Sequence, residues 1–266
     1  MHILITGVAS GIGRAAAAYF LGKGHTVYGI DRSPAPDGEN LRTFVADITD
    51  QAELLSVAKQ LSGDKIKLDV ILNVAGIHIM TSLVEGDWAR MRKTVDVNLT
   101  GTMLVNRVFH PLLREKGRIL MVTSEVAGFD PVPFNGLYSV TKTALEAYAQ
   151  ALRQELNLLG QKVVTVRPGA VETPLSTGSV QATQALAEST VLYKDQARRF
   201  TRIANAFMGK PISPEKLAAL IYKAATARHP RLSYSKNANL GLVLLSWLPK
   251  SWQCAIIKWL LNSKLL

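Results

Sequence analysis

At 266 residues and 48% hydrophobic side chains, the chain can bury a substantial core, which excludes a disordered polypeptide and leaves one large α/β domain or two small ones. A single cysteine, Cys254, excludes an intrachain disulfide and any multi-cysteine metal site; with five scattered histidines, no metal is expected and a reducing, cytoplasmic setting fits. The net charge of +11 sits at one end: residues 1–193 hold 18 basic and 18 acidic side chains, residues 194–266 hold 13 basic and two acidic.

Strand-length apolar runs alternate with segments of helical period. HILIT leads into a helix over 12–23, HTVYGI and LRTFVA follow, and a second helix is expected over 50–62. DVILN precedes a long helical segment over 87–114, RILMVT leads to a helix over about 138–159, and KVVTVRP closes the series. Such alternation predicts an α/β fold, a single doubly wound parallel sheet with helices on both faces. Turn signals fall between the elements, at SPAPDGEN, GFDPVPFNG and MGKPISP. One domain over 1–234 is expected, with 175–210 as an excursion beside the substrate and 235–266 as an apolar and basic helical tail.

In LITGVASGIGRAAAAYFLGKG, Gly7, Gly11 and Gly13 stand directly after the first strand and at the mouth of an alanine-rich helix. Glycine there lets a pyrophosphate approach helix N-terminal amides, whose partial positive charge favours an anion, and makes the sheet Rossmann-like. Ser10 and Ile12 lie within the same turn and complete the predicted cradle. Asp31 closes the second strand where an acid accepts hydrogen bonds from an adenosine ribose and repels a 2′-phosphate. NAD is therefore favoured over NADP, although neighbouring Arg32 would pair with that phosphate.

The spacing Thr6-Gly7-x-x-x-Gly11-x-Gly13, together with YSVTK at 138–142, resembles the short-chain dehydrogenase/reductase family. Asp47 in VADIT, NVAG at 73–76, Asn98 in VNLTG, Ser124 in VTSE and RPGAVET at 167–173 follow in the family's order, over about the first 175 residues. The resemblance implies an NAD(P)-dependent oxidoreductase acting on a small-molecule alcohol or ketone. Tyr138 would exchange a proton with the substrate oxygen, Ser124 would bond that oxygen, and Lys142 would lower the phenol's pKa and hold the nicotinamide ribose. Asn98 would hold a water that relays protons from the lysine. It also assigns Asp47 to the adenine, Asn73 and Gly76 to the adenosine side, and Val171 and Thr173 to the carboxamide. Plainer readings stand beside these: Asp47 as a helix cap, Asn73 as a partner for strand-end backbone, Val171 as a buried loop residue.

Two departures are visible. Val74 interrupts the family's NNAG, and Ser124 lies fourteen residues before Tyr138, one more than usual, so Glu125 occupies the usual serine register. An extra residue in the loop AGFDPVPFNGL accounts for this, because a loop absorbs an insertion more easily than a strand end. Ser124 is the expected serine, with Thr123 as the substitute.

In the tail, Trp252, Ile256, Trp259 and Leu260 follow helical spacing, Ile257 and Leu261 widen the stripe, and Lys250, Lys258 and Lys264 are interspersed. The apolar run is too short to span a bilayer but suits peripheral contact with a membrane surface; packing on the domain, over the cleft or against a second subunit is the alternative. The basic end carries no nucleic-acid motif, and no nucleic-acid partner is expected. A homodimer or homotetramer is expected from the resemblance, and a bulky lipophilic substrate, sterol-, retinoid- or fatty-acyl-like, from the apolar borders of the cleft. Other readings are an NADP-dependent carbonyl reductase and a non-catalytic dinucleotide-binding sensor on the same fold.

Overall fold

The computed structural model of the chain describes residues 1–207 and 209–263; Lys264 lies outside them. β1 (His2–Thr6), α1 (Gly11–Leu21), β2 (Thr26–Asp31), β3 (Leu41–Val45), α2 (Gln51–Gly63) and β4 (Leu68–Asn73) form the first half. They are followed by α3 (Trp88–Val95), α4 (Thr102–Phe109), β5 (Leu113–Val122), α5 (Gly136–Leu158) and β6 (Lys162–Pro168). The seven strands, completed by β7 (Ser233–Lys236), are parallel and ordered β3-β2-β1-β4-β5-β6-β7. Between β1 and β4 the strand order reverses, and a crevice opens there beyond the strands' C-terminal ends.

Alternate strand residues feed two cores, as the pleat requires. Leu4, Ile71, Ile119 and Met121 pack with Leu54 and Leu61 of α2, Val105 and Phe109 of α4, and Leu145 and Ala149 of α5. Ile3, Ile5, Leu72 and Leu120 pack on the opposite face with Ala16, Ala17 and Phe20 of α1 and with Leu217 and Ile221 of α8 (Pro214–Thr226). Both faces are buried by helices, so these strands read as continuous apolar runs.

The long helix expected over 87–114 is broken. Between α3 and α4 the backbone widens into a π-turn at Asp96–Gly101, and a 3-10 turn at His110–Leu112 ends the helical segment. Pro111, which has no N–H to donate, sits in that turn, and the chain is already in β5 at Leu113. The pairing of β5 with β4 then shifts, from Leu68 opposite Leu113 to Val70 opposite Arg118.

Residues 175–210 largely form two helices, α6 (Pro174–Ser189) and α7 (Lys194–Phe207). β7 spans the expected boundary at 234/235 and buries Tyr234 in the α1–α8 core. Asn237, with φ of +63°, then donates from Nδ2 to the carbonyls of Ala170 (2.9 Å) and Lys210 (3.0 Å). Two further helices, α9 (Leu240–Ser246) and α10 (Lys250–Asn262), close the described chain. Ile257 and Leu261 of α10 pack with Ala197, Phe200 and Ile203 of α7 and with Phe134.

That seam differs from the predicted stripe. Trp252 and Trp259 are 62% and 61% exposed, while Gln253 is buried and donates to Asp130 (3.0 Å) and to the Leu248 carbonyl (2.9 Å). Apolar side chains lie all round this helix, so their period alone does not choose the buried face.

Candidate active site

β1 ends at Thr6, whose hydroxyl accepts hydrogen bonds from the amides of Val74 (3.1 Å) and Ala75 (3.2 Å) and ties together the ends of β1 and β4. Gly7 follows with φ of +76°, a left-handed conformation that favours glycine. A Cβ on Gly13 would collide with the Gly7 carbonyl, so the first turn of α1 seats directly against the strand end. Ser10 is the N-cap of α1 but makes no side-chain capping bond, leaving the helix's first-turn amides to an outside acceptor.

These residues line a cavity of ≈ 660 Å³ at the strand reversal, within the range of ligand and cofactor sites. Gly7, Ser10, Gly11, Ile12, Gly13, Asp31, Asp47, Gly76, Ser124, Tyr138, Lys142, Val171 and Thr173 all line it; Asn73 and Asn98 stand behind it. Asp31 accepts from the amides of Ala9 (3.0 Å) and Ser33 (2.9 Å), which fixes its carboxylate at the edge of the glycine turn. Asp47 closes a turn with the amide and hydroxyl of Thr49, and the backbone bond above all holds its carboxyl below the usual range. The cap of α2 is Asp50, bonded to the amides of Ala52 and Glu53. Val171 is buried and bridges to Ile212, and Thr173 caps α6 in a reciprocal pair with Ser176. The free helix amides, the side-chain-free turn and the strand-end acid fit a dinucleotide.

Asn73 points into the protein, donating to Asn106 (2.8 Å) and more distantly to the Leu120 carbonyl (3.4 Å). Asn98 sits in the π-turn, 1% exposed. Its amide brackets Ile77, accepting from the backbone N–H at 2.8 Å and donating to the carbonyl at 2.9 Å, and donates to Thr141 at 3.1 Å. The π-turn widens the helix where this clasp forms, a common use of such turns. A Cβ on Gly76 would stand 3.2 Å from Asn98 Oδ1 and 3.5 Å from Lys142 Nζ, so bare backbone keeps that corner open.

Across the cavity, Tyr138 and Lys142 lie one turn apart near the start of α5. The Ser124 hydroxyl accepts from the Val126 amide (3.4 Å) and stands near enough to the phenol to favour its ionised form. Thr123 instead donates to Glu146 (2.6 Å), which also takes two bonds from Arg167 (2.8 and 2.9 Å) and so joins α5 to β6. Lys142 is 4% exposed, donates to the Val122 carbonyl (3.2 Å) and lies 5.7 Å from the centroid of the Tyr138 ring.

Burial dominates the electrostatics of this pair. Tyr138 is pushed up to about 12, by burial first and by the charge of Glu125 as well, against the opposing Ser124 hydroxyl. Burial pushes Lys142 down to about 8. The ammonium lies over the ring and donates to a backbone carbonyl, and the charged forms of both groups lose hydration on burial.

Two further cavity residues carry weight that the sequence did not assign them: His78 went unnoticed, and Glu125 stood out only as a register departure. His78 packs edge-on against Tyr138 with ring centroids 4.6 Å apart, its Nε2 is 2.9 Å from Asn135 Oδ1, and burial holds it below its usual pKa. Glu125 accepts a 2.5 Å bond from the Asn239 amide, and burial raises its pKa. NVAG two residues before His78 was a signal for its neighbourhood; the link to Asn239, 114 residues away, left none. Among the described residues no group of three or more His, Cys, Asp or Glu is placed to hold a metal ion.

The family model for short chain dehydrogenase matches residues 1–184. The chain belongs to the short-chain dehydrogenase family. It is an NAD(P)-dependent oxidoreductase. This short-chain dehydrogenase is 29% identical to the 3-ketodihydrosphingosine reductase of Bacteroides thetaiotaomicron, over 93% of each chain. It is 30% identical to retinol dehydrogenase 5 of Mus musculus, over 97% of this chain and 88% of that one. A short-chain dehydrogenase from Streptomyces avermitilis superposes with a TM-score of 0.74 at 23% identity, covering 97% of this chain and 95% of the other. That likeness carries the sheet and its helices, including the C-terminal region, into this short-chain dehydrogenase's fold.

Proposed function

We propose that the protein interconverts a secondary alcohol and a ketone on a bulky lipophilic substrate, with NAD as the favoured cofactor. The meeting of Ser124, Tyr138 and Lys142 on one wall of the cavity that the glycine turn opens into carries this reading. When bound along the glycine turn, the dinucleotide supplies or accepts the hydride. Ser124 holds the substrate oxygen, and Tyr138, its proton retained far above neutrality, donates that proton as the carbonyl is reduced. Lys142, its pKa lowered to about 8, is poised to pass a replacement proton toward Tyr138. Asn98 positions this corner through Ile77 and Thr141.

Asp31 beside the glycine turn supports NAD, and the matched relatives, a 3-ketodihydrosphingosine reductase and a retinol dehydrogenase, support a lipophilic substrate. Trp247, Trp252 and Trp259 are 75%, 62% and 61% exposed around Lys250 and Lys258, which supports peripheral contact with an anionic membrane surface. No helix of the described residues is long and apolar enough to cross a membrane. Exposed Met103 on α4 and Val140 on α5 support a homodimer or homotetramer.

The test is a panel of long-chain and polycyclic ketones and alcohols, followed at the nicotinamide absorbance with NAD(H) and NADP(H). Turnover with an NAD preference, lost by about 10²- to 10⁴-fold in Tyr138→Phe, is expected. Equal efficiency with both cofactors would end the assignment to NAD, and an active Tyr138→Phe would end the assignment of the proton donor.

A further inference from the structure

Among the described residues, none forms an ion pair with Glu125. It follows Ser124 directly, opens the short 3-10 turn Glu125–Gly128, and lines the same cavity as Tyr138. One of its oxygens accepts the Asn239 amide at 2.5 Å. Lys142 is turned to the Val122 carbonyl, and burial keeps His78 neutral beside Asn135.

A partly buried carboxylate with a single backbone donor is costly, and such groups ordinarily find a cation. Burial raises the pKa of Glu125, as expected of an acid in that position, and its charge in turn resists ionisation of the Tyr138 phenol. A cation arriving from the cavity relieves both effects.

We propose that Glu125 is the binding partner of a cationic nitrogen on the substrate, so that the substrate class is a lipophilic amino ketone or amino alcohol. This rests on the alcohol–ketone reading of the site. Ser124 and Tyr138 hold the oxygen while Glu125, which lines the same cavity, holds the ammonium. In the reduction, hydride adds to the carbonyl carbon, the C=O π pair takes the Tyr138 proton, and the dinucleotide is oxidised by two electrons. The C–N bond and the ammonium are unchanged throughout.

The test compares kcat/KM for a long-chain 2-amino-3-ketone with that for the same ketone lacking the amine, in the full-length enzyme and in Glu125→Gln. Glutamine keeps an acceptor for the Asn239 amide and removes the charge. The native enzyme is expected to favour the amino ketone by about tenfold or more, mostly through KM, and Glu125→Gln to bring that ratio close to one. A native ratio of one or less overturns the inference while leaving the ketone reading intact, and so does a Glu125→Gln enzyme that keeps the native ratio. Turnover of neither ketone overturns both. If Glu125→Gln does not fold, inhibition of the native enzyme decides: a long-chain primary amine should compete with the ketone about tenfold more strongly than the matched alcohol, and equal inhibition sinks the inference.

Discussion

The glycine turn and the C-terminal third border one cavity but are held by different means. Around β1 and α1, backbones approach more closely than a side chain permits, and short polar bonds from Thr6, Asp31 and Asn98 fasten strand and helix ends. Between α7 and α10 the main hold is an apolar seam, Ile257 and Leu261 against Ala197 and Phe200, edged by bonds from Arg199 to the Leu261 carbonyl (2.8 Å) and from Gln196 to Asn262 (2.8 Å), with the tryptophans left outside. A region of the first kind tolerates no added atom; one of the second kind responds to buried volume and leaves its outer face free to vary.

The contrast breaks most visibly at Gly13. Gly13→Ala puts a methyl group into the Gly7 carbonyl, and dinucleotide affinity, followed by fluorescence titration, should fall by about 10²-fold or more. Retained affinity would mean that the turn is looser than its geometry. The next effect lies in pH. With the Tyr138 pKa raised to about 12, the phenolate needed for alcohol oxidation grows about tenfold per pH unit below that value, whereas the protonated phenol needed for reduction is fully present. Oxidation should therefore climb steeply from pH 6 to 9 and reduction stay nearly level; a plateau of oxidation near neutrality would show that bound ligands acidify the phenol.

On the other side of the comparison, Leu261→Ala opens the tail seam and should cost about 2–4 kcal/mol in denaturant unfolding, with dinucleotide affinity unchanged. The smallest effect belongs to the outer face. Trp259→Ala should alter stability by less than about 0.5 kcal/mol yet weaken co-sedimentation with anionic vesicles. Equal vesicle binding by both proteins would remove the tryptophan from the proposed membrane contact.

Local signals made the first region readable. Apolar runs announced six strands, and a glycine triplet between a strand and a helix needs no distant partner to be recognised. The four-residue spacing put Tyr138 and Lys142 on one face of α5. Their ionisation was not readable, because it depends on burial and on where Nζ finds an acceptor, and Val122 lies on another element. The π-turn around Asn98 was hidden for the same reason, since the clasp on Ile77 that occupies it joins separate segments. In the tail, helical content was legible but the buried face was not: apolar residues surround α10, and the choice rests on what α7 and Phe134 present to it. Glu125 looked like a register accident until the Asn239 amide was found on it.

The clasp made by Asn237 bears on how the tail is to be studied. Gly169 has no room for a side chain because the Asn237 carbonyl lies against it, and the Asn237 amide serves two carbonyls on the cavity rim. Cutting the polypeptide after β7 would strip those carbonyls of their donor and loosen the rim together with the part removed. A shortened protein that loses turnover would thus report damage to the pocket wall, and only single replacements on the outer helix surface isolate what the appendage itself contributes.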